Sequence, residues 1–408
     1  MIIKSYILEK DISFINQFKS ILFYGENLGL KNDFKKILKD NNNASFINLT
    51  QDEILKNENV LLKELFNDSL FNEKKISSFQ NIKYVSALTS CTAALHLAVH
   101  SLRLNVNDEI LVPAFSWATT AHCVEYLNLK IRFVDIDLNT FKINSKDLEK
   151  KISKKTKAII PVHLYGKPCD MTKLRTISKK KNIKIIEDCA QAQGAKFKNK
   201  YVGTFGDLGC FSFYPTKILG GYGDGGFILT DNFKLYSKIK MIRFYGIDTV
   251  NNKNKLYNKY YSNINGVNSR LDEINSKILD FKLSKVSQFI KKRRMLADIY
   301  QQELKNTSLI LPQKTKDSFD VFHLYTVYHK KRSFIMRELE KKNIQTRIIY
   351  PYPIHHMKAY NKIFTNKKFI NTEMKSKGIF SLPLYPELEV KSVKNICSKL
   401  KIILSKID

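Results

Sequence analysis

The chain has 408 residues, of which 43% are hydrophobic and 26% charged, and its formal net charge is +31. A chain of this size and composition can bury a sizeable core, which excludes wholesale disorder and fibrous repeats. It contains no run of about 18 apolar residues, so we expect no membrane span. The opening sequence MIIKSYILEKD lacks the apolar core of a signal peptide, and we therefore expect a cytoplasmic protein.

The charge comes from 69 Lys+Arg against 38 Asp+Glu and by itself would suggest nucleic acid as a partner. The lysines are spread over the whole chain among many Asn and Ile residues, so we favour a solvated basic surface over a nucleic-acid groove. Such a surface still favours anionic substrates. The six cysteines form no C-x-x-C pair, and we expect reduced, packed thiols without zinc.

Three regions of the sequence differ in their pattern of apolar and polar residues. Residues 1–72 indicate an α/β segment, in which a short apolar run, a glycine-bearing turn and a helix outline a phosphate loop without its G-x-x-x-x-G-K-[ST] spacing. Residues 73–285 alternate short apolar strands with helical stretches, which predicts an α/β domain with a parallel sheet covered on both faces. Residues 286–408 begin on a basic helix and predict a small α+β domain.

Two motifs follow predicted strands of the second region. Thr89, Ser90, Cys91 and Thr92 stand at a strand-to-helix junction, where hydroxyl and backbone N–H groups suit a bound phosphate, although ordinary helix capping explains them as well. Asp188 ends a buried apolar strand. A carboxylate there needs a cation such as a protonated pyridine nitrogen, unless it only caps a helix.

The third motif is FSFYPTKILGGYGDGG, in which Lys217 lies between an aromatic strand and a glycine-dense loop. Glycines let the backbone approach a ligand closely. A desolvated lysine in such a place can lose its proton and form a Schiff base. In a chain this basic, an ordinary surface lysine is the alternative.

From about residue 73 to its end the chain resembles the DegT/DnrJ/EryC1/StrS family of pyridoxal-phosphate (PLP)-dependent sugar aminotransferases. The resemblance rests on TSCTAALHLA, VPAFSWATTAHCV, IPVHLYGKPCDM, IEDCAQAQGA, FSFYPTKILGGYGDGG, GVNSRLDEI and FSLPLYPEL, in the family's order. It implies the aspartate-aminotransferase-like fold (fold type I), with a large, mostly parallel mixed sheet. It also implies that the amino donor is an amino acid, expected to be L-glutamate. The acceptor would be a keto group of a nucleotide-linked deoxysugar, in a pathway to surface polysaccharide.

The resemblance also assigns roles to single residues. Lys217 would hold PLP covalently and shuttle a proton, and Asp188 would pair with the pyridine nitrogen. Trp117 would stack on the ring, with a core aromatic as the alternative. Gln191 would bond near the ring's 3-oxygen, and Asn268 would reach the cofactor phosphate of a neighbouring subunit, so a homodimer is expected. The phosphate side of the site would be formed by Ser90, Cys91, Thr92 and Ser212.

The family usually has glycine where this chain has Cys91, which would strain the turn if that position needed a positive φ. Further on, TRIIYPYPIHH resembles a stretch of the members that aminate the sugar at C3, with Ile349 in place of a histidine. Tyr350, His355 and His356 are therefore candidate substrate contacts, with ordinary loop histidines as the alternative. We expect no metal site there, because no acidic or cysteine residue lies nearby at ligand spacing.

Residues 1–72 resemble the amino-terminal part of the delta subunit of the DNA polymerase III clamp loader, through the opening IIKSYILEK, through LFYGENLGLKNDFKK, and through EILKNENVLLKELFNDSLFNEKKI. We treat this segment as a fusion without independent activity. Two alternative functions follow from the sequence. One is a PLP-dependent sugar dehydratase of the same fold, against which Lys217 argues because those relatives carry histidine there. The other is a DNA-replication interaction protein.

Overall fold

A computed structural model describes residues 73–248, 250, 260–364 and 368–407. Residues 1–72, which resemble part of the clamp-loader delta subunit, lie outside these described residues, so the α/β segment expected there stays a prediction. The helices of the described part, in chain order, are α1 (Glu73–Gln80), α2 (Cys91–Ser101), α3 (Thr119–Glu125), α4 (Ser145–Lys151), α5 (Met171–Lys181), α6 (Phe233–Ile242), α7 (Glu273–Leu283), α8 (Val286–Leu304), α9 (Arg332–Glu340), α10 (Lys358–Phe364), α11 (Ile370–Gly378) and α12 (Val390–Leu404).

Most strands of the described part belong to one seven-stranded sheet of order β1-β9-β8-β5-β4-β2-β3. The strands are β1 (Tyr84–Leu88), β2 (Glu109–Pro113), β3 (Lys130–Val134), β4 (Thr156–Ile159), β5 (Lys184–Asp188), β6 (Lys196–Phe197), β7 (Lys200–Tyr201), β8 (Leu208–Ser212), β9 (Gly226–Thr230), β10 (Ser318–Phe319), β11 (Tyr325–Tyr328) and β12 (Ile379–Leu382). Within the large sheet, β9 pairs antiparallel with both of its neighbours, and the other pairs are parallel. The predicted α/β fold with a mixed, mostly parallel sheet is confirmed.

Sequence explains why these segments become strands and helices. Strands β8 and β9 are buried at every position, as expected for central strands covered on both faces. Several helices begin directly after a side chain that caps their free N–H groups. Asn144 accepts the amides of Lys146 and Asp147, and Asp170 accepts that of Lys173.

Helices cover the large sheet on both faces and a separate core fills the carboxy-terminal part. One cluster packs α2, α3 and α6 against the sheet, and another packs α1, α7 and α8 against strands β1, β8 and β9. A further cluster joins the end of α8 to β11, β12, α9 and α12. The parallel strands therefore deliver their carboxyl ends to one edge, where ligands of open α/β sheets bind.

Among the described residues, no helix is both long enough and apolar enough to span a bilayer. The cytoplasmic location expected from the sequence stays a prediction.

The packing of α2 on the sheet gives a first test. Leu95 is buried on this helix, whereas Val106 is 67% exposed. We expect Leu95→Ala to lower the free energy of unfolding by about 2–5 kcal/mol, because the cavity forms between two packed layers. Val106→Ala, the control, should change it by less than about 0.5 kcal/mol. Denaturant unfolding followed by circular dichroism measures both, and equal effects would contradict this packing.

Candidate functional site

Asp188 is the last residue of β5, and its side chain is buried. Oδ1 accepts the amide of Ala190 at 3.1 Å, and Oδ2 accepts the Thr120 hydroxyl at 3.0 Å. Burial raises the pKa of the Asp188 carboxyl, while these two hydrogen bonds and the nearby Lys217 act in the opposite direction. Each carboxylate oxygen keeps a further lone pair for a cationic partner.

Lys217 lies in the loop between β8 and β9, two strands whose ends meet at this edge. Its amide donates to the carbonyl of Tyr214 at 2.8 Å, and the loop is closed by the Gly221 amide, which donates to the carbonyl of Phe213 at 2.7 Å. Burial lowers the pKa of the Lys217 amine, and the carboxylate of Asp188 opposes that shift. The amine is therefore closer to its neutral, nucleophilic form than an exposed lysine would be.

The predicted phosphate turn is the start of helix α2. Ser90 is the N-cap in extended conformation, and its hydroxyl accepts the amide of Ala93 at 3.0 Å. Cys91 is buried as the first helical residue, so the strain that a positive φ would bring does not arise there. Thr92 is exposed on the first turn. This arrangement leaves early helix amides and two hydroxyls at the edge where Asp188 lies.

Gly226, the first residue of β9, lies at the same edge because β9 is antiparallel to both neighbouring strands. A Cβ on this residue would lie 2.5 Å from the Ser90 carbonyl carbon and 2.7 Å from the Cys91 nitrogen. Only glycine permits this approach of the strand to the turn. By contrast, a Cβ on Gly223 would meet nothing within 4 Å.

Gln191, three residues after Asp188 in the chain, is hydrogen-bonded to two tyrosines. Its Oε1 accepts the amide of Tyr165 at 2.7 Å, and its Nε2 donates to the Tyr350 hydroxyl at 2.9 Å. The rings of Tyr350 and Trp117 lie 5.5 Å apart, and Trp117 is 57% exposed. Thus Gln191, Trp117 and Tyr350 form one contact group, whose roles toward a ligand stay predictions.

Ser212 ends β8 with its side chain buried, and its hydroxyl accepts the amide of Tyr214 at 3.2 Å. Asn268 lies on an exposed loop, where its side-chain oxygen accepts from Nε of Arg270 at 3.1 Å. The next residue, Ser269, bonds the hydroxyl of Thr89 at 2.9 Å. The Asn268 loop is thereby anchored one residue before Ser90.

His355 and His356 stand on a short 3-10 helix, Ile354–His356, and contact Glu373 of α11. His355 Nε2 lies 3.3 Å and His356 Nε2 3.9 Å from Oε1 of Glu373. His355 is buried against the ring of Phe369, with centroids 4.5 Å apart. The sequence spacing offered no acidic partner for these histidines, whereas the fold supplies one.

Sequence reasoning missed two side chains here, Thr120, which donates to Asp188, and Glu187, which precedes Asp188 on β5. Thr120, the last residue of SWATT, bonds both Ser116, at 3.0 Å, and Asp188. A run of hydroxyl residues after a strand is the only signal that could have found it. Glu187 is completely buried and accepts three loop amides, from Gly203, Phe205 and Gly206, at 2.7–2.8 Å.

His163 completes this network. The amide of Cys169 donates to its Nδ1 at 2.9 Å, which places the ring proton on Nε2. Nε2 lies 3.0 Å from Oε2 of Glu187 and donates to it. Apolar periodicity does not distinguish Glu187 from Asp188, the last two residues of β5, and the family resemblance assigned a role only to Asp188.

The residues at this edge fit pyridoxal phosphate. Asp188 is a buried carboxylate whose ionised form a pyridinium nitrogen would stabilise. Lys217 supplies a largely buried amine, and the α2 turn supplies hydroxyl and amide donors suited to a phosphate. The donor set thus matches the ring nitrogen, the aldehyde and the phosphate of the cofactor.

Comparison with known proteins agrees with this chemistry. A model of the DegT/DnrJ/EryC1/StrS aminotransferase family matches residues 48–401. The match begins inside the segment that we assigned to the clamp-loader resemblance.

The chain is 37% identical over 324 residues to the dTDP-3-amino-3,6-dideoxy-alpha-D-galactopyranose transaminase of Aneurinibacillus thermoaerophilus, covering 79% of this chain and 86% of that protein. It is 33% identical over 355 residues to the UDP-N-acetyl-3-dehydro-alpha-D-glucosamine 3-aminotransferase of Acidithiobacillus ferrooxidans, covering 86% and 94%. The crystal structure of a DegT DnrJ EryC1 StrS aminotransferase from Brucella abortus superposes with a TM-score of 0.76 at 27% identity, covering 88% of this chain and 99% of that one.

The contact between Gly226 and the α2 turn gives a second test. We expect Gly226→Ala to weaken pyridoxal-phosphate binding about tenfold or more, because the added methyl group must displace main-chain atoms of Ser90 and Cys91. Gly223→Ala, three residues earlier in the chain, should bind normally. Titration of the cofactor-free protein, followed by visible absorbance, measures both affinities. A normal affinity of the Gly226 variant would contradict a phosphate site at this turn.

Proposed function

This chain belongs to the DegT/DnrJ/EryC1/StrS aminotransferase family, and on that premise we propose that it transfers the amino group of L-glutamate to the C3 keto group of a nucleotide-linked deoxysugar. The enzyme is a PLP-dependent nucleotide-sugar aminotransferase. The names of two relatives support the C3 position. One is the transaminase of a dTDP-linked 3-amino sugar, and the other is a 3-aminotransferase of a UDP-linked 3-dehydro sugar. We assign the reaction to surface polysaccharide synthesis.

One observation carries the assignment to this edge of the sheet. Asp188 is buried at the carboxyl end of β5, and the neighbouring parallel strand β8 leads into the loop that carries Lys217, so both groups lie at the same end of the sheet. A buried amine and a buried carboxylate within electrostatic reach are what PLP chemistry requires at the two ends of one ring. When bound, the cofactor supplies an electron sink for the carbanion formed on the amino donor.

The chain's own residues would do the rest. Thr120 and the amide of Ala190 hold the carboxylate of Asp188 in place and favour its ionised form. The neutral amine of Lys217, favoured by burial, would take the proton from the α-carbon of the donor. Gln191 would orient the cofactor ring by a hydrogen bond at its edge, and Trp117 would orient it by stacking on its face.

We extend the proposal to a homodimer in which Asn268 reaches the neighbouring subunit's cofactor phosphate. Large apolar side chains are exposed near that loop, with Tyr222 at 79%, Ile274 at 75% and Phe281 at 70%. Such a patch is typical of a protein interface. Light scattering should give twice the chain mass, and Asn268→Ala should weaken cofactor retention; a monomer with full activity would contradict this part of the proposal.

Two lysine substitutions, Lys217→Ala and the control Lys234→Ala, test the role of the Lys217 amine. The purified protein with added PLP should absorb visible light, and borohydride should abolish both the absorbance and the activity. Lys217→Ala should lose the absorbance and at least about 10³-fold in turnover, since it removes both the covalent link and the base. Lys234→Ala, at an exposed position, should behave as wild type. A colourless wild-type protein would exclude the assignment.

Product analysis separates the proposal from the dehydratase alternative. L-glutamate and a panel of dTDP-, UDP- and GDP-linked 3-keto and 4-keto sugars are incubated with the enzyme, and 2-oxoglutarate is measured. We expect 2-oxoglutarate in an amount equal to the aminated sugar, with the 3-keto sugars preferred. Loss of sugar without 2-oxoglutarate would indicate dehydration, and preference for 4-keto sugars would overturn the C3 position.

The electrostatic coupling predicts a pH effect. Burial lowers the pKa of Lys217, and the Asp188 carboxylate raises it. Capture of PLP by the cofactor-free enzyme needs the neutral amine, so its rate should rise with pH and level off above that pKa. Asp188→Asn removes the anion that stabilises the ammonium form, and the midpoint should therefore move to lower pH. Stopped-flow absorbance gives the profile, and a shift to higher pH would contradict the coupling.

A further inference from the structure

Two groups of described side chains bring three potential metal ligands together: His163 with Glu187 and Cys189, and His355 with His356 and Glu373. In the first group the lone pairs are already used. Glu187 accepts three amides, and Nδ1 of His163 accepts the amide of Cys169. That group is a closed hydrogen-bond network and has no free ligand set.

The second group differs in geometry. Both histidine Nε2 atoms point toward one oxygen, Oε1 of Glu373, at 3.3 Å and 3.9 Å. The three ligand atoms all lie within 4.8 Å of one another. An ion held tetrahedrally at about 2.0–2.1 Å from nitrogen and oxygen needs ligand atoms roughly 3.3 Å apart. Rotation of the His356 side chain, which is 50% exposed, can close the remaining gap.

The surroundings also differ. Oε1 of Glu373 accepts one amide, from Phe369 at 3.0 Å, and Nδ1 of His355 is buried without a hydrogen-bond partner. Within the described part of the chain, both imidazoles pair with this one carboxylate. Because His356 and Glu373 reach solvent, a water molecule can complete the coordination. Asp135 is not a further ligand, since its oxygens already accept main-chain and hydroxyl groups of Asn371 and Thr372.

We propose that His355, His356 and Glu373 bind a divalent transition-metal ion of the Zn²⁺ type, with water as the fourth ligand. Imidazole nitrogen with one carboxylate suits such an ion and not Mg²⁺, which prefers oxygen. The ion would join the Ile354–His356 turn to helix α11. The Ile354 amide of the turn donates to the carbonyl of Ala114, the residue that follows β2, at 3.0 Å. The turn also follows Tyr350 closely in the chain. The metal would thus brace the segment that carries Tyr350.

All eight histidines of the sequence lie in the described ranges, which allows a matched control. His96 and His100, one helical turn apart on α2 with ring centroids at 6.2 Å, are the rival pair for a Zn²⁺ ion. His100→Asn removes that pair, and His356→Asn removes one proposed ligand at a half-exposed position. Glu373→Gln keeps an oxygen that can accept the Phe369 amide, so both proposed-site variants should fold.

The test uses untagged holoenzyme that has been stripped with a chelator and titrated with ZnCl₂ by calorimetry. We expect one Zn²⁺ per chain and, at about 100 times Kd, a rise of about 4 °C in Tm. His356→Asn and Glu373→Gln should each weaken binding at least about tenfold, while His100→Asn should bind as wild type. MgCl₂ should give no shift. Absence of Zn²⁺ binding, undiminished binding by His356→Asn, or loss of binding in His100→Asn would overturn the proposal.

Discussion

The site depends on one constraint, a carboxylate buried at the end of a central strand. Taking the charge of Asp188 out of water is costly, and the structure offsets that cost with the Thr120 hydroxyl, the Ala190 amide and the nearby amine of Lys217. Because the charge is buried, it acts strongly on whatever cation lies opposite it. The rest of the edge is arranged so that a cationic ring can lie there.

Sheet topology explains how distant segments meet at that edge. β1, β5 and β8 all run toward it: β5 and β8 end in Asp188 and Ser212, and β1 ends two residues before Ser90. β9 runs the opposite way, so its first residue, Gly226, starts where the others stop. The loop from β8 to β9 is therefore confined to the same edge, and with it Lys217. A sheet of purely parallel strands would carry the start of β9 to the far side.

Two neighbouring acids on β5 serve different purposes because successive side chains of a strand point to opposite faces. Glu187 faces the loop of Gly203 and Gly206 and is satisfied by amides and by His163. Asp188 faces the ligand edge with only two donors. One carboxylate thus fixes the strand end in the protein, while the next keeps bonding capacity for a ligand.

Apolar periodicity predicted the strands and a parallel α/β sheet from the sequence, because that pattern is a local property of the chain. The mixed sheet and the cofactor class were expected only from the resemblance of several motifs to a known family. The sequence could not give Thr120 beside Asp188, 68 residues apart, or Tyr350 beside Gln191, 159 residues apart. Nor could it show Glu373 beside His355. Such pairs depend on where loops from separate strands and helices cross at the sheet edge, and only packing of the whole chain decides that. The sequence motifs therefore indicated the class of reaction, and the tertiary structure decided which side chains lie together in the site.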